Sequence, residues 1–380
     1  MASTVSWDRL RGLAGFRTER GCAISLYLGL DPSVAPTAGD AESRVRSLLA
    51  EGERAATASR ADLTRTQREG LKSDLERIRR WFDEDFDRAG SRGFAIFTAG
   101  LDNVWTTLAL TDPVEDELKI GREFYLAPLV PLVGRGSGVL VAVVNRERGD
   151  LYVLRDGRLE AVADHSEEQP RRHDQGGWSQ ANYQRHVDQL AAEHLRTVAE
   201  ELDRQVRRAR GADVVVVGSD ELRGEFEEML AKDTRAAIVG WASAEAHAGA
   251  PDLLAAVLPA LEGRRERQEQ NLLDRWREEA GRNGRAAAGW HATLEAASDG
   301  RVDLLLYQEG ADRSAWQCPE CGRASTEDGS CPLDGTRMEP RDGGLDVAVH
   351  QTLAHGGTVQ PVRTRRDLEP VEGIGALLRY

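Results

Sequence analysis

Apolar residues along the chain fall into two recurrent patterns, short unbroken runs and long three-to-four-residue spacings. CAISLYLGL at 22–30 is apolar apart from Ser25 and of strand length. A charged stretch follows from 41 to 86, with Val45, Leu48 and Leu49 at helical spacing and an expected break near 59–63. GFAIFTAG and VWTTLAL read as short strands, and the proline-bearing PLVPLVGRGSG reads as a linker that closes a first domain at 132.

A second segment, 138–250, opens with GVLVAVVNRERGDLYVLRDGRLEAV, which predicts consecutive strands joined by RERGD and RDGR turns. Val187, Leu190, Leu195, Val198, Leu202 and Val206 then form one apolar stripe of a long helix. ADVVVVG is a buried strand, DELRGEFEEMLA a helix, and AAIVGWA another strand. The third segment, 251–380, starts with the charged helix PDLLAAVLPALEGRRERQEQNLLDRWREEAGR. It continues with the strand VDLLLYQE, a cysteine cluster, the helix GLDVAVHQTLA stopped by Gly356 and Gly357, and the strands TVQPVR and GALLRY. Alternating strands and helices predict an α/β protein of three domains, with mixed sheets flanked by helices.

Composition narrows this picture. The 380 residues are 40% hydrophobic and 30% charged, a soluble globular balance. No apolar run approaches the roughly 20 residues that span a bilayer. MASTVSWDRLRG lacks a signal-peptide core, so a cytoplasmic protein without membrane association is expected. The net charge of −14 argues against nonspecific coating of nucleic acid and leaves local patches open. HExxH and phosphate-loop signatures are absent from the sequence, as is any readable serine–histidine–acid arrangement.

The most informative stretch is RRHDQGGWSQANYQRH at 171–186. Glycine pairs reach positive φ without a Cβ penalty, so GG alone needs nothing beyond a tight loop. Here the pair sits in a polar loop at the mouth of an amphipathic helix, with Ser179 as candidate cap and Gln180 near the positive end.

RRH, GGWSQ, the long helix and VVVVGSDELRGEF follow one another in an order that resembles the archaeal and eukaryotic class 1 peptide-chain release factors, whose relatives include Pelota. The closing GIGALLRY resembles the last segment of that family, and the likeness covers roughly 138–380. Where release factors place glutamine directly after the glycine pair, this chain has Trp178, and its glutamine follows as Gln180. Gly-Gly-x-Ser-Gln is similar to the bacterial branch related to the eukaryotic ribosome-quality-control peptidyl-tRNA hydrolase.

The resemblance implies a loop that enters the peptidyl-transferase centre of the large ribosomal subunit. Gly176, Gly177 and Gln180 would be its catalytic residues, with the amide of Gln180 holding water at the peptidyl-tRNA ester. Arg171, Arg172, His173 and Arg185 could hold phosphates, and Trp178 could stack on a base. Without the family likeness these charges read as a solvated helix entry. A translational GTPase is a candidate partner. The first segment lacks the Asn-Ile-Lys-Ser tetrapeptide with which the family reads stop codons, so codon-independent rescue of stalled ribosomes is expected. Two alternatives stay open: a noncatalytic factor occupying the ribosomal A site during stress or hibernation, and a nuclease acting at the tRNA acceptor end.

QCPECGRASTEDGSCPLDG holds three of the four cysteines. Cys318-x2-Cys321 and Cys331-x2-Asp334 each resemble a zinc knuckle, with Pro319 and Gly322 echoed by Pro332 and Gly335. The echo nominates Asp334 as fourth ligand of a structural Zn2+ in a ribbon-like insert at 316–340. The alternative is a degenerate ribbon that lost its metal together with a cysteine. Cys22, in an apolar run, reads as a core residue.

Overall fold

The computed structural model describes residues 5–31, 37–58, 63–87, 91–110, 112–133, 138–145, 149–155, 158–164, 179–209, 211–245, 247–282 and 284–380, with side chains left undescribed at 38, 55–58, 163–164 and 179–188. The chain divides into two compact units, 1–135 with 269–380, and 136–268.

The N-terminal part begins with α1 (Trp7–Ala14), whose first turn is capped by the Ser6 hydroxyl accepting from Arg9 N–H. It continues with β1 (Ala23–Gly29), α2 (Ala38–Ala58), α3 (Arg65–Glu84), β2 (Gly93–Ala99), β3 (Val104–Leu110) and β4 (Glu117–Gly121). Thr64 and Gln67 close a reciprocal capping box at the start of α3. The strands form an antiparallel sheet in the order β3-β2-β1-β4.

β1 is apolar on alternating sides, with Ser25 its one polar side chain, because both faces of this sheet are buried. Ile24, Leu26 and Leu28 join Phe94 and Ile96 against Leu49, Leu75 and Ile78 of the two long helices. Ala23, Tyr27, Ala95 and Phe97 point the other way, as the two-residue period requires. The stretch read as a linker is instead a 3-10 helix, Ala127–Leu132, with Leu129, Val130 and Leu132 buried in that second cluster. Its hydrophobic residues supply core contacts that a solvated linker would not make.

The other unit holds β5 (Val139–Val144), β6 (Gly149–Arg155), β7 (Arg158–Asp164), α4 (Ser179–Arg208), β8 (Asp213–Val217), α5 (Asp220–Met229), α6 (Lys232–Ala237), β9 (Ile238–Ala242) and the first part of α7 (Ala250–Gly281). Its sheet order is β7-β6-β5-β8-β9, with an antiparallel meander on one side and parallel pairs on the other. Leu140, Ala142, Val214 and Val216 pack under α4 and α5, while Val141, Val143, Val215 and Val217 pack against Leu253, Val257 and Leu261 of α7. The VVVV run therefore serves a sheet covered on both faces.

The C-terminal part contributes β10 (Ala286–Ala288), α8 (Gly289–Ser298), β11 (Val302–Gln308), β12 (Ala315–Gln317), β13 (Ala324–Ser325), β14 (Glu339–Arg341), α9 (Gly344–Ala354), β15 (Thr358–Val362) and β16 (Ile374–Leu378). A mixed sheet runs β10-β16-β11-β15, and the segments connecting a small sheet, β13-β12-β14, hold the three clustered cysteines. Trp290, Leu294, Ala348 and Val349 of α8 and α9 belong to the cluster that holds Tyr27 and Phe97. The first and third segments, read from sequence as separate domains, thus share one continuous core, because the second face of the N-terminal sheet is covered by helices from the far end of the chain.

Glu269, buried on α7, accepts from Arg363 N–H, Thr364 N–H and Arg365 N–H at 3.1 Å each and from the Thr364 hydroxyl at 2.8 Å. One carboxylate satisfies the whole turn after β15. Glu269→Ala leaves those donors unpaired, and chemical denaturation should show a loss of about 3 kcal/mol.

Asp346, in the first turn of α9, has an Oδ1 shielded from solvent without a hydrogen-bond partner among the described residues. Burial pushes its carboxyl up to about 7; the Leu126 N–H and Lys119 oppose the rise, and Glu123 and Asp312 add to it. The fold keeps a proton that the unfolded chain releases at about pH 4. This contribution to stability should therefore fall as pH rises from about 4 to about 7 and level off above. Asp346→Asn should gain about 2 kcal/mol or more over wild type at pH 8 and little at pH 4, measured by urea unfolding. An equal effect at both pH values would contradict the assignment.

Candidate functional site

Two sets of residues carry the chemistry expected from sequence. The first is the loop before α4. Arg171, Arg172, His173, Gly176, Gly177 and Trp178 lie outside the described residues. Gln180 and Arg185 fall on α4, in its first two turns, and their side chains are likewise not described. α4 begins at Ser179 itself, one residue earlier than a capping role implies, which places Gln180 second in the helix. The first N–H groups of an α-helix have no intrahelical acceptor and carry the positive end of the dipole.

What anchors this helix is plain. Leu195, Val198, Ala199, Leu202 and Val206 are buried on the sheet. Gly149 of β6 lies so close that a Cβ there would stand 2.2 Å from Val198 Cγ2. The close approach requires glycine and seats this stretch of α4 against β6.

The second set is the cysteine cluster, which the fold brings together completely. One ligand atom from each of Cys318, Cys321, Cys331 and Asp334 lies within 4.8 Å of all the others. Cys321 Sγ and Cys331 Sγ are 3.4 Å apart, and Cys318 Sγ lies 3.4 Å and 3.6 Å from the two Asp334 oxygens. A tetrahedral ion with metal–sulfur bonds of about 2.3 Å and metal–oxygen bonds of about 2.0 Å has edges of about 3.8 Å and 3.5 Å. The donor set therefore fits a small four-coordinate cation.

The echo in sequence is also an echo in backbone. Cys318 N–H donates to Arg323 O at 2.8 Å and Gly322 N–H to Cys318 O at 3.0 Å. Cys331 N–H donates to Thr336 O at 2.8 Å and Gly335 N–H to Cys331 O at 2.9 Å, the same pattern thirteen residues on. Gly322 and Gly335 both adopt positive φ, 80° and 76°. Asp334 takes the place of the second cysteine, and Thr336 N–H, 2.9 Å from its Oδ1, holds its carboxyl well below the usual range. All four positions were readable from spacing.

Arg17 and Arg122, which grip this knuckle from outside, were missed. They lie hundreds of positions away, and arginine in a charged chain gives no local signal. Cys22 is buried in the N-terminal core, as expected. Among the described residues no helix is long and apolar enough to cross a membrane.

Comparison with known proteins shows what the chain is similar to. Residues 125–262 match the family described as bacterial archaeo-eukaryotic release factor family 10. Peptide chain release factor subunit 1 of Archaeoglobus fulgidus is 22% identical over 388 aligned positions, covering 94% of this chain and 92% of the relative. The same factor from Methanopyrus kandleri is 26% identical, and there the match spans 53% of this chain and 50% of the relative. These matches support an archaeo-eukaryotic release factor-like family for the chain. Similar solved structures include an archaeal translation termination factor (17% identity, 99% of each chain, TM-score 0.27) and a ribosome-bound archaeal Pelota (13% identity, 100% of this chain and 95% of that one, TM-score 0.41).

Proposed function

We propose that the protein is a codon-independent peptidyl-tRNA hydrolase that acts in ribosome rescue. The observation that carries this reading is the GGWSQ motif, leading directly into α4 within the segment that matches the release-factor family. In this reading the loop enters the peptidyl-transferase centre of the large subunit. Gly176 and Gly177 let the backbone approach the ester, and the Gln180 amide at the start of α4 orients the attacking water. The ester is already reactive, so placing one water and stabilising the departing oxygen suffice; no protein nucleophile is needed. Arg171, Arg172, His173 and Arg185 hold RNA phosphates, and Trp178 stacks on a base. The partners are the ribosome, peptidyl-tRNA and a translational GTPase.

The cysteine cluster, in the same reading, binds one Zn2+ through Cys318, Cys321, Cys331 and Asp334. With four protein ligands it has no open position for water and serves structure.

A second reading is favoured by one residue, Trp178, which stands where release factors carry the glutamine. A factor that occupies the A site without hydrolysis needs no amide there. Peptide release from purified stalled complexes separates the two, with wild type compared against Gln180→Ala. Release by wild type that falls in the variant supports hydrolysis. Equal release by both removes Gln180 from the chemistry, and tight binding with no release by either moves the assignment to the noncatalytic factor.

A further inference from the structure

We propose that Arg17 and Arg122, from the N-terminal part of the chain, complete the metal centre from outside, so that metal binding and the seating of that part on the cysteine ribbon form one coupled equilibrium. The inference rests on the reading of the cluster as a zinc site.

Pro319 and Glu320 are the two residues between the ligands Cys318 and Cys321. Arg122 Nη1 donates to Pro319 O at 3.0 Å, Arg17 Nη2 donates to the same oxygen, and Arg17 Nη1 reaches Glu320 O at 3.5 Å. The two arginines are set side by side by backbone pairing: Thr18 N–H donates to Arg122 O at 2.8 Å, and Arg17 bridges Glu123 in antiparallel fashion. Arg17 Nε also lies 3.8 Å from a Glu123 oxygen, which holds the guanidinium in place. From α9, Gln351 Nε2 donates to Gly322 O at 3.0 Å, and from β12 Gln317 Nε2 donates to it at 3.3 Å. The first knuckle is thus held on three sides.

The second knuckle differs. Among the described residues its hydrogen bonds stay within the ribbon, as in Cys331 N–H to Thr336 O and Arg337 to Asp328, and Leu333 at its tip is 70% exposed. One half of the site is preorganised by the N-terminal part and α9, and the ion ties the other half to it.

Charge points the same way. Three thiolates, one carboxylate and a dication leave two net negative charges, and two of the sulfurs, on Cys318 and Cys331, are buried. Guanidinium groups donating to peptides between the ligands offset that charge, the half-buried Arg17 more strongly than the exposed and better screened Arg122. Coupling is reciprocal: if seating of Arg17 and Arg122 tightens the metal by some factor, metal tightens the seating by the same factor.

The test uses the full chain and two measurements. Zinc affinity is read by competition with a chromophoric chelator, for wild type, for Arg17→Ala with Arg122→Ala, and for Leu75→Ala. The arginine double variant should bind zinc about 10- to 100-fold more weakly. Leu75→Ala, on α3 in the separate cluster that covers the other face of the N-terminal sheet, should lose stability and keep wild-type affinity. Hydrogen exchange of wild type with and without zinc needs no variant: amides at 17–23 and 119–123 should exchange faster without zinc by a similar factor. Unchanged affinity in the double variant, or exchange in those segments that zinc does not move, overturns the coupling and leaves the zinc site standing. A wild type that takes up no zinc removes the metal reading itself.

Discussion

Cys321→Ser should abolish zinc binding and lower the melting temperature of the unit containing the cysteine ribbon by on the order of 10 °C. Wild type should carry about one zinc per chain. Apparent binding energies at four-ligand structural sites run to about 10–16 kcal/mol, and binding energy of this kind is folding energy for the segment that holds the ion. Only part of it reaches the whole unit here, because the first knuckle is already held by Arg17, Arg122, Gln317 and Gln351. The second knuckle depends on the ion most, so local loss should be greatest near Leu333. The unit formed by 136–268 should melt as before, since its two hydrophobic clusters draw only on its own residues. Metal analysis with calorimetry checks both halves. Zinc-free wild type with an intact cooperative melt would show a ribbon that needs no metal.

Gln180→Ala should leave folding and ribosome binding nearly unchanged and lower peptide release by about 100-fold or more. Alanine is the best helix former, and position 180 is the second residue of α4, so the backbone loses nothing. Only the amide is removed. Losing one preorganised donor at a developing oxyanion costs a serine protease about 100- to 1,000-fold, and an amide that aligns water in the transition state would belong to the same class of interaction. Binding should be spared if, as proposed, phosphate contacts from the basic collar supply it rather than Gln180. The variant should therefore lower the rate of release without raising the concentration needed for half-maximal effect. A matched loss of binding and rate would instead mark Gln180 as a docking residue.

Much of the α/β layering was legible because burial imposes simple periods. Leu195, Val198, Leu202 and Val206 repeat with the helix, and VVVV at 214–217 is what a strand covered on both sides requires. Other elements left little trace. α1 is eight residues long, β4 reads ELKIG, and α8 reads GWHATLEAAS, whose small residues make no clear stripe. The union of the two chain ends in one core was not readable at all. Nothing local in CAISLYLGL says that Tyr27 will meet the helices carrying Trp290 and Ala348, because that pairing is decided by which surfaces remain uncovered after the strands have formed. The convergence of Cys318, Cys321, Cys331 and Asp334 was legible for the opposite reason: a knuckle is a local turn, and its Cys-Pro-x-x-Gly spacing is written in five consecutive residues. The arginines that support it come from 302 and 197 positions away.

The most direct test of the central proposal is peptide release by the wild-type protein from purified ribosomal complexes holding peptidyl-tRNA. The A site would be presented in three forms: empty, with a sense codon, and with a stop codon. Codon-independent hydrolysis predicts release in all three at similar rates, each depending on Gln180. Release confined to the stop codon, or tight binding that leaves peptidyl-tRNA intact in all three, would contradict it.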